Sequence, residues 1–138
     1  MPKNIRLLLE TRGVSVRECL RTDGRYSLAY DGGRLDVYPL AGGRLVLETM
    51  LAELPTETSQ RRVMLESALR YSTSQMKIRQ DTLAQTPAAD ALVLQCELDS
   101  TASLLDMEAS VSQFLNAAER WRRVLRPTQK SESVPWQR

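Results

Sequence analysis

Between Tyr26 and Leu51 apolar and polar residues alternate with a period of two, and glycine-rich turns break the alternation twice. Tyr26, Leu28 and Tyr30 alternate with Ser27 and Ala29 before Asp31-Gly32-Gly33. Leu35 and Val37 alternate with Asp36 before Tyr38-Pro39-Leu40 and Ala41-Gly42-Gly43, and Leu45, Leu47, Thr49 and Leu51 follow. Side chains of a strand point to opposite faces in turn, so this pattern predicts a three-stranded antiparallel meander. Pro39 has no N–H to give to a ladder, which places it at a strand end or an unpaired edge.

On either side the period changes to that of a helix. Residues 3–12 carry Ile5, Leu8 and Leu9 at helical spacing, with Leu7 widening the stripe and Gly13 as a stop. Val14–Leu20 reads equally as a short strand or an extended lead-in. After Leu54-Pro55, a second helix is expected to run to about Met76, capped by Thr56 or Thr58. Its stripe of Leu65, Ala68, Leu69, Ser72 and Met76 is broadened by Val63, Met64 and Tyr71. That is more apolar width than one supporting sheet needs, and it suits a helix with one partner inside the subunit and one across a dimer axis.

Thr82–Gln85 and Ala91–Leu98 read as a second hairpin around a Thr86–Asp90 loop, with Leu92, Leu94, Cys96 and Leu98 on one face. The clearest helical period spans residues 103–125. It runs through Leu104, Met107, Val111, Phe114, Leu115 and Ala118, then Trp121 or Arg122, and Leu125. Ser100, Thr101 or Ser103 caps it, Arg122, Arg123 and Arg126 suit its last turn, and Pro127 ends it. The fold class is therefore α+β: helix, meander, helix, hairpin, helix. One domain is expected over 1–126, followed by a flexible polar tail over 127–138.

Composition narrows the function classes. The chain has 138 residues, 42% of them hydrophobic and 26% charged, the make-up of one soluble domain. It has no apolar run of about 20 residues and no signal-like N-terminus, so a cytoplasmic location is expected. Histidine is absent, which removes the commonest general base and metal ligand. Cys19 and Cys96 form no paired motif and read as buried or half-buried thiols. The glycine pairs fit turns and belong to no phosphate-binding loop. No catalytic residue, metal site or cofactor is expected, and an enzyme would need ionisable groups clustered in a pocket. The net charge of +2 is unevenly spread. Residues 1–117 carry 13 basic and 15 acidic groups, and residues 118–138 carry 6 and 2. The alternative function is therefore a nucleic-acid-binding or regulatory protein that uses the Arg-rich C-terminus, although aromatic-basic stacking and helix-turn-helix patterns are missing.

Several stretches together resemble the class I chaperones of bacterial type III secretion, the Tir-chaperone-like family. They are the leucine-rich first helix ending near Gly13, Tyr26-Ser27-Leu28-Ala29-Tyr30-Asp31-Gly32-Gly33 into Arg34-Leu35-Asp36-Val37, and Arg44-Leu45-Val46-Leu47. Leu54-Pro55 before the second helix and Ala118-Glu119-Arg120-Trp121-Arg122-Arg123-Val124-Leu125 complete the set. The resemblance covers about 1–126. The sequence pI of about 8.7 departs from the acidic balance usual in that family, chiefly through the basic C-terminus.

The resemblance implies a homodimer with the second helix and adjacent strands at its interface. It also implies a client, the N-terminal region of a secreted effector held in extended form, and neither nucleotide nor catalysis. Candidate client contacts are Ile5, Leu8, Leu9, Leu28 and Tyr30. Candidate dimer contacts are Leu65, Leu69, Ser72 and Met76, with Leu92 and Leu94 as second choices. For each, ordinary core packing is the competing reading. Trp121 reads as a core anchor, Arg120, Arg122, Arg123 and Arg126 as a solvated helix end, and Trp136 as a bystander in the tail.

Overall fold

Strand alternation and turn chemistry become a single sheet in the computed structural model of the chain, which describes residues 25–30, 33–75, 81–99 and 101–126. Three strands, β1 (Tyr26–Tyr30), β2 (Gly33–Leu40) and β3 (Arg44–Glu53), form the expected meander. Helix α1 (Thr58–Gln75) follows, then β4 (Thr82–Gln85), β5 (Ala91–Asp99) and helix α2 (Leu104–Leu125). The sheet is antiparallel, in the order β1-β2-β3-β5-β4. The first helix, Val14–Leu20, Cys19, Met76, Trp136 and the tail lie outside the described residues.

Local chemistry sets the boundaries. In the β2–β3 turn Gly42 and Gly43 have φ of +83° and +75°, a region open to glycine and strained for other residues. Pro39 lies opposite Leu45 near the end of β2, beyond Tyr26↔Val37, the last β1 pair at that end, so it takes the strand-end place expected of it. Helix α2 is capped by Ser103, whose hydroxyl accepts the Asp106 amide at 3.1 Å. At α1 neither threonine is the cap. The Glu57 carboxylate accepts the amides of Ser59 (3.0 Å) and Gln60 (2.9 Å), because Thr58 is already helical.

Register decides which face is buried. Leu28, Leu35, Thr49, Leu94 and Leu83 stand in one row across the five strands, and Tyr26, Val37, Leu47 and Cys96 in the next. This inner face packs on α2, which contacts β3 and β5 on one side and α1 on the other. Met107, Phe114 and Ala118 of α2 are fully buried, and Trp121 meets Tyr71 of α1 edge to face with centroids 4.7 Å apart. Trp121 is thus the core anchor its spacing indicated. Cys96 is half-buried against the same core.

Two measurements check this architecture. Phe114→Ala empties the centre of the core and should lower unfolding free energy by about 3–5 kcal/mol in urea titrations. Glu57 is held below the ordinary carboxylate value of 4.5, first by the Ser59 hydroxyl and then by the Gln60 and Ser59 amides. Because the folded value is depressed, the cap's stabilisation is present above the unfolded pKa and is lost as pH falls through the folded one. The Ser59 and Gln60 amide resonances should titrate together with a midpoint below 4.5, and Glu57→Ala should abolish that titration.

Candidate functional site

Helix α1 carries the first candidate surface. Ala68 is its one buried residue, and Met64, Leu65 and Tyr71 are half-buried against the core. Val63 and Leu69 point away and are 53% and 65% exposed. The stripe read from the sequence therefore divides. Leu65 serves the core in part, Ser72 is half-buried, and Leu69 is exposed beside them, while Val63 is exposed on the other side of the helix, across Arg62, Glu66 and Arg70. Leu92 and Leu94 go elsewhere. They are 2% and 1% exposed in the sheet–helix core, so they offer no surface to a second copy. That corrects their place among the dimer contacts: β5 lies between β3 and β4 and is consumed by its own subunit.

Of the client candidates, Ile5, Leu8 and Leu9 lie outside the described residues. Leu28 and Tyr30 are brought together on β1, an outer strand of the sheet among the described residues, half-buried against the core. The Thr49 hydroxyl gives its proton to the Arg34 carbonyl at 2.8 Å, so the Tyr30 hydroxyl donates to Thr49 Oγ1 at 3.2 Å.

The face of the sheet turned away from α2 is polar where the strands cross its middle. Ser27, Asp36, Glu48, Gln95 and Thr82 align in one row through all five strands. Asp36 is buried and accepts the Ser27 hydroxyl at 2.6 Å. Arg25 lies over the Tyr38 ring, 4.2 Å from its centroid, and binds Glu48 at 3.0 Å with Asp36 at 3.7 Å. Glu48 also accepts Tyr38 Oη at 3.2 Å and Gln95 Nε2 at 2.7 Å. Burial disfavours the Arg25 charge, but the hydrogen bond and attraction of Glu48 outweigh it and its pKa rises. Burial raises the Tyr38 phenol as well, and the Glu48 charge adds to it.

A cleft of about 830 Å³ opens over this row and reaches Met50, Val93 and the Gln85–Pro87 segment. Arg122 enters its end from α2. Its Nε and Nη2 donate to the Met50 carbonyl at 3.2 and 2.7 Å, and Nη2 also to Thr49 Oγ1 at 2.9 Å. These bonds hold β3 where its pairing with β5 slips between Met50 and Ala52. The solvated helix end expected of the arginines thus lacks Arg122, while Arg120, Arg123 and Arg126 are exposed. The signal was present in the apolar spacing, where position 122 competed with 121 for a place on the buried stripe.

Nothing in this arrangement sets a nucleophile beside a base. Among the described residues no three His, Cys, Asp or Glu side chains converge as metal ligands, and no helix is long and apolar enough to cross a membrane. What the site offers is surface: an exposed leucine flanking the core stripe of α1, strands that are outermost among the described residues, and a polar cleft. The model of the Tir chaperone protein (CesT) family matches residues 4–122. The chain belongs to this family.

Solved structures show the same fold. The ExsC–ExsE complex superposes with a TM-score of 0.64 at 18% identity, covering 91% of this chain and 96% of that one. The ExoU–SpcU heterodimeric complex from the type III secretion system of Pseudomonas aeruginosa gives 0.63 at 18% identity, covering 90% and 99%. The Yersinia pestis type III secretion chaperone SycH, in complex with a stable fragment of YscM2, gives 0.59 at 12% identity, covering 87% and 98%. No curated protein matches this CesT-family chain in sequence.

The half-buried and exposed ion pairs should separate in energy. Glu48→Ala strips Arg25, Tyr38 and Gln95 of a shared acceptor and should destabilise by about 1–3 kcal/mol. Arg44→Ala removes only the pair with Glu97, where both side chains are more than half exposed, and should change stability by less than about 1 kcal/mol. Urea midpoints of the two variants decide the comparison.

Proposed function

We propose that this protein is a secretion chaperone of the class I type, which binds the N-terminal region of a type III effector in extended form and keeps it soluble and secretion-competent. The observation that carries the reading is the family match over residues 4–122. The chaperone acts in the bacterial cytoplasm as a homodimer, by binding rather than by catalysis, and needs no cofactor. The names of the similar structures, which include chaperone–effector complexes, support the same reading.

The physics of such a task fits the surfaces present. A client kept unfolded exposes apolar side chains and unpaired backbone groups. The outer strands β1 and β4 supply the geometry for strand addition. Leu28 and Tyr30 on β1, with Ile5, Leu8 and Leu9, are the client contacts of this proposal, and each Leu-sized anchor they bury contributes about 1.5–3 kcal/mol. A handful of anchors offsets the cost of ordering the segment. The dimer forms through Leu65, Leu69 and Ser72, the flank of α1 on which Leu69 stays 65% exposed after the subunit's own core is filled, and through Met76.

Two measurements test this. Wild-type protein should sediment as a dimer, and Leu69→Asp or Met76→Asp should shift it toward monomer at equal concentration. Pull-down from the native host should recover one dominant polypeptide bound through its N-terminal region. A monomeric wild type, or recovery of nucleic acid alone, would overturn the proposal.

A further inference from the structure

The cleft on the outer sheet face has an unbalanced set of charges. Arg25, Arg34 and Arg122 line it against Asp36 and Glu48. Both carboxylates are already engaged. Asp36 is shared by the Ser27 hydroxyl, Arg25 and Arg34, and Glu48 by Arg25, Tyr38 and Gln95. The guanidinium groups are less well matched. Arg34 reaches Asp36 only through Nε at 3.4 Å and is 61% exposed. The nearest acid to Arg122 is Glu119 at 3.6 Å, itself half exposed, and Nη1 of Arg122 is buried without a hydrogen-bond partner. Among the described residues the lining thus holds three guanidinium groups against two carboxylates, around a partly enclosed space where screening by water is weaker than on an open surface.

Beside that charge the floor is apolar. Met50 is 50% exposed and stands next to the buried Val93 in the same cross-strand row. Gly33, next to Arg34, has φ +145°, a backbone conformation strained for any side chain, and a Cβ there would touch Arg122 Nη2 at an ordinary contact distance of 3.6 Å. An unbranched thioether beside an exposed guanidinium suits a segment with an apolar side chain next to a carboxylate.

We infer that this cleft binds an extended peptide segment bearing an acidic side chain, with Arg34 pairing its carboxylate, Arg122 fixed behind it as background charge, and Met50 contacting the neighbouring apolar residue. This rests on the client-binding reading and deepens it: the bound segment is acidic at the point where it crosses the sheet. Arg34 is a specificity residue, and it discriminates by charge rather than by apolar area.

The test uses the full chain and two labelled peptides of alternating valine and serine, one with a central glutamate and one with glutamine, followed by fluorescence anisotropy. The glutamate peptide should bind about tenfold more tightly, the effect of one charge-assisted contact, and should lose that advantage in high salt. Arg34→Gln, a change at an exposed position, should erase the preference, and Arg34→Lys should keep part of it. Met50→Asn should weaken both peptides alike. Equal affinity of the two peptides for wild type, no binding of either, or a preference that survives Arg34→Gln would overturn the inference. So would an oligonucleotide that binds with the same dependence on Arg34. If the wild type still retains a native polypeptide while showing no charge preference, this inference fails and the chaperone reading stands. If it retains none, both fail.

Discussion

Helix α2 buries one long apolar stripe where the sheet and α1 meet, and that constraint arranges the rest of the molecule. Its buried residues, Met107, Val111, Phe114, Ala117, Ala118, Trp121 and Leu125, recur at three- and four-residue spacing along one face of the helix. The sheet covers one flank and α1 the other. Because α2 takes the sheet, α1 becomes the outermost layer of the described chain. A helix in that position has one flank to bury, and Ala68, Met64 and Leu65 suffice for it. Leu69 is left exposed at the margin of that flank, next to the half-buried Leu65 and Ser72, while the outermost arc of the helix is charged through Arg62, Glu66 and Arg70.

The opposite face of the sheet is governed by a different requirement. Buried carboxylates such as Asp36 are tolerated only when their lone pairs are occupied, and unpaired they cost several kcal/mol. The row from Ser27 to Gln95 satisfies them strand by strand, so that sheet pairing and the polar network require one another. A register slip of one residue would turn this row inward and the leucines outward. The network therefore fixes register as much as it adds stability, and it leaves the two faces of the sheet with distinct chemistries for distinct contacts.

The meander was legible because hairpin strands with one wet face must alternate and their turns need glycine, as at Gly42 and Gly43. Trp121 was legible because a three-four spacing on a long helix leaves few other places for it. The pairing of β3 with β5 was not, since it joins strands separated by a helix and a hairpin strand, and local pattern carries no record of it. Ala91-Leu92-Val93-Leu94 did carry a hint. Four consecutive buried residues mark an interior strand with both faces covered, which argues against placing Leu92 and Leu94 at an interface. The Glu57 cap escaped notice because glutamate is an unusual capping residue flanked here by two better ones.

Arg122 shows why an arginine near a helix end resists reading from sequence. In the last turn it favours the helix dipole whether it faces water or protein, so charge placement alone does not distinguish the two. Geometry distinguishes them here. The slip in pairing between Met50 and Ala52 leaves the Met50 carbonyl to be satisfied from α2, and the guanidinium supplies two donors at once. An ammonium has the charge but not the fork, and a glutamine has neither the reach nor the charge. The same side chain thus closes the sheet at its weakest pairing and carries a positive charge to the edge of the outer cleft. A fold that must repair its own strand irregularity with an arginine acquires, at no further structural cost, an electrostatic preference in the surface next to it.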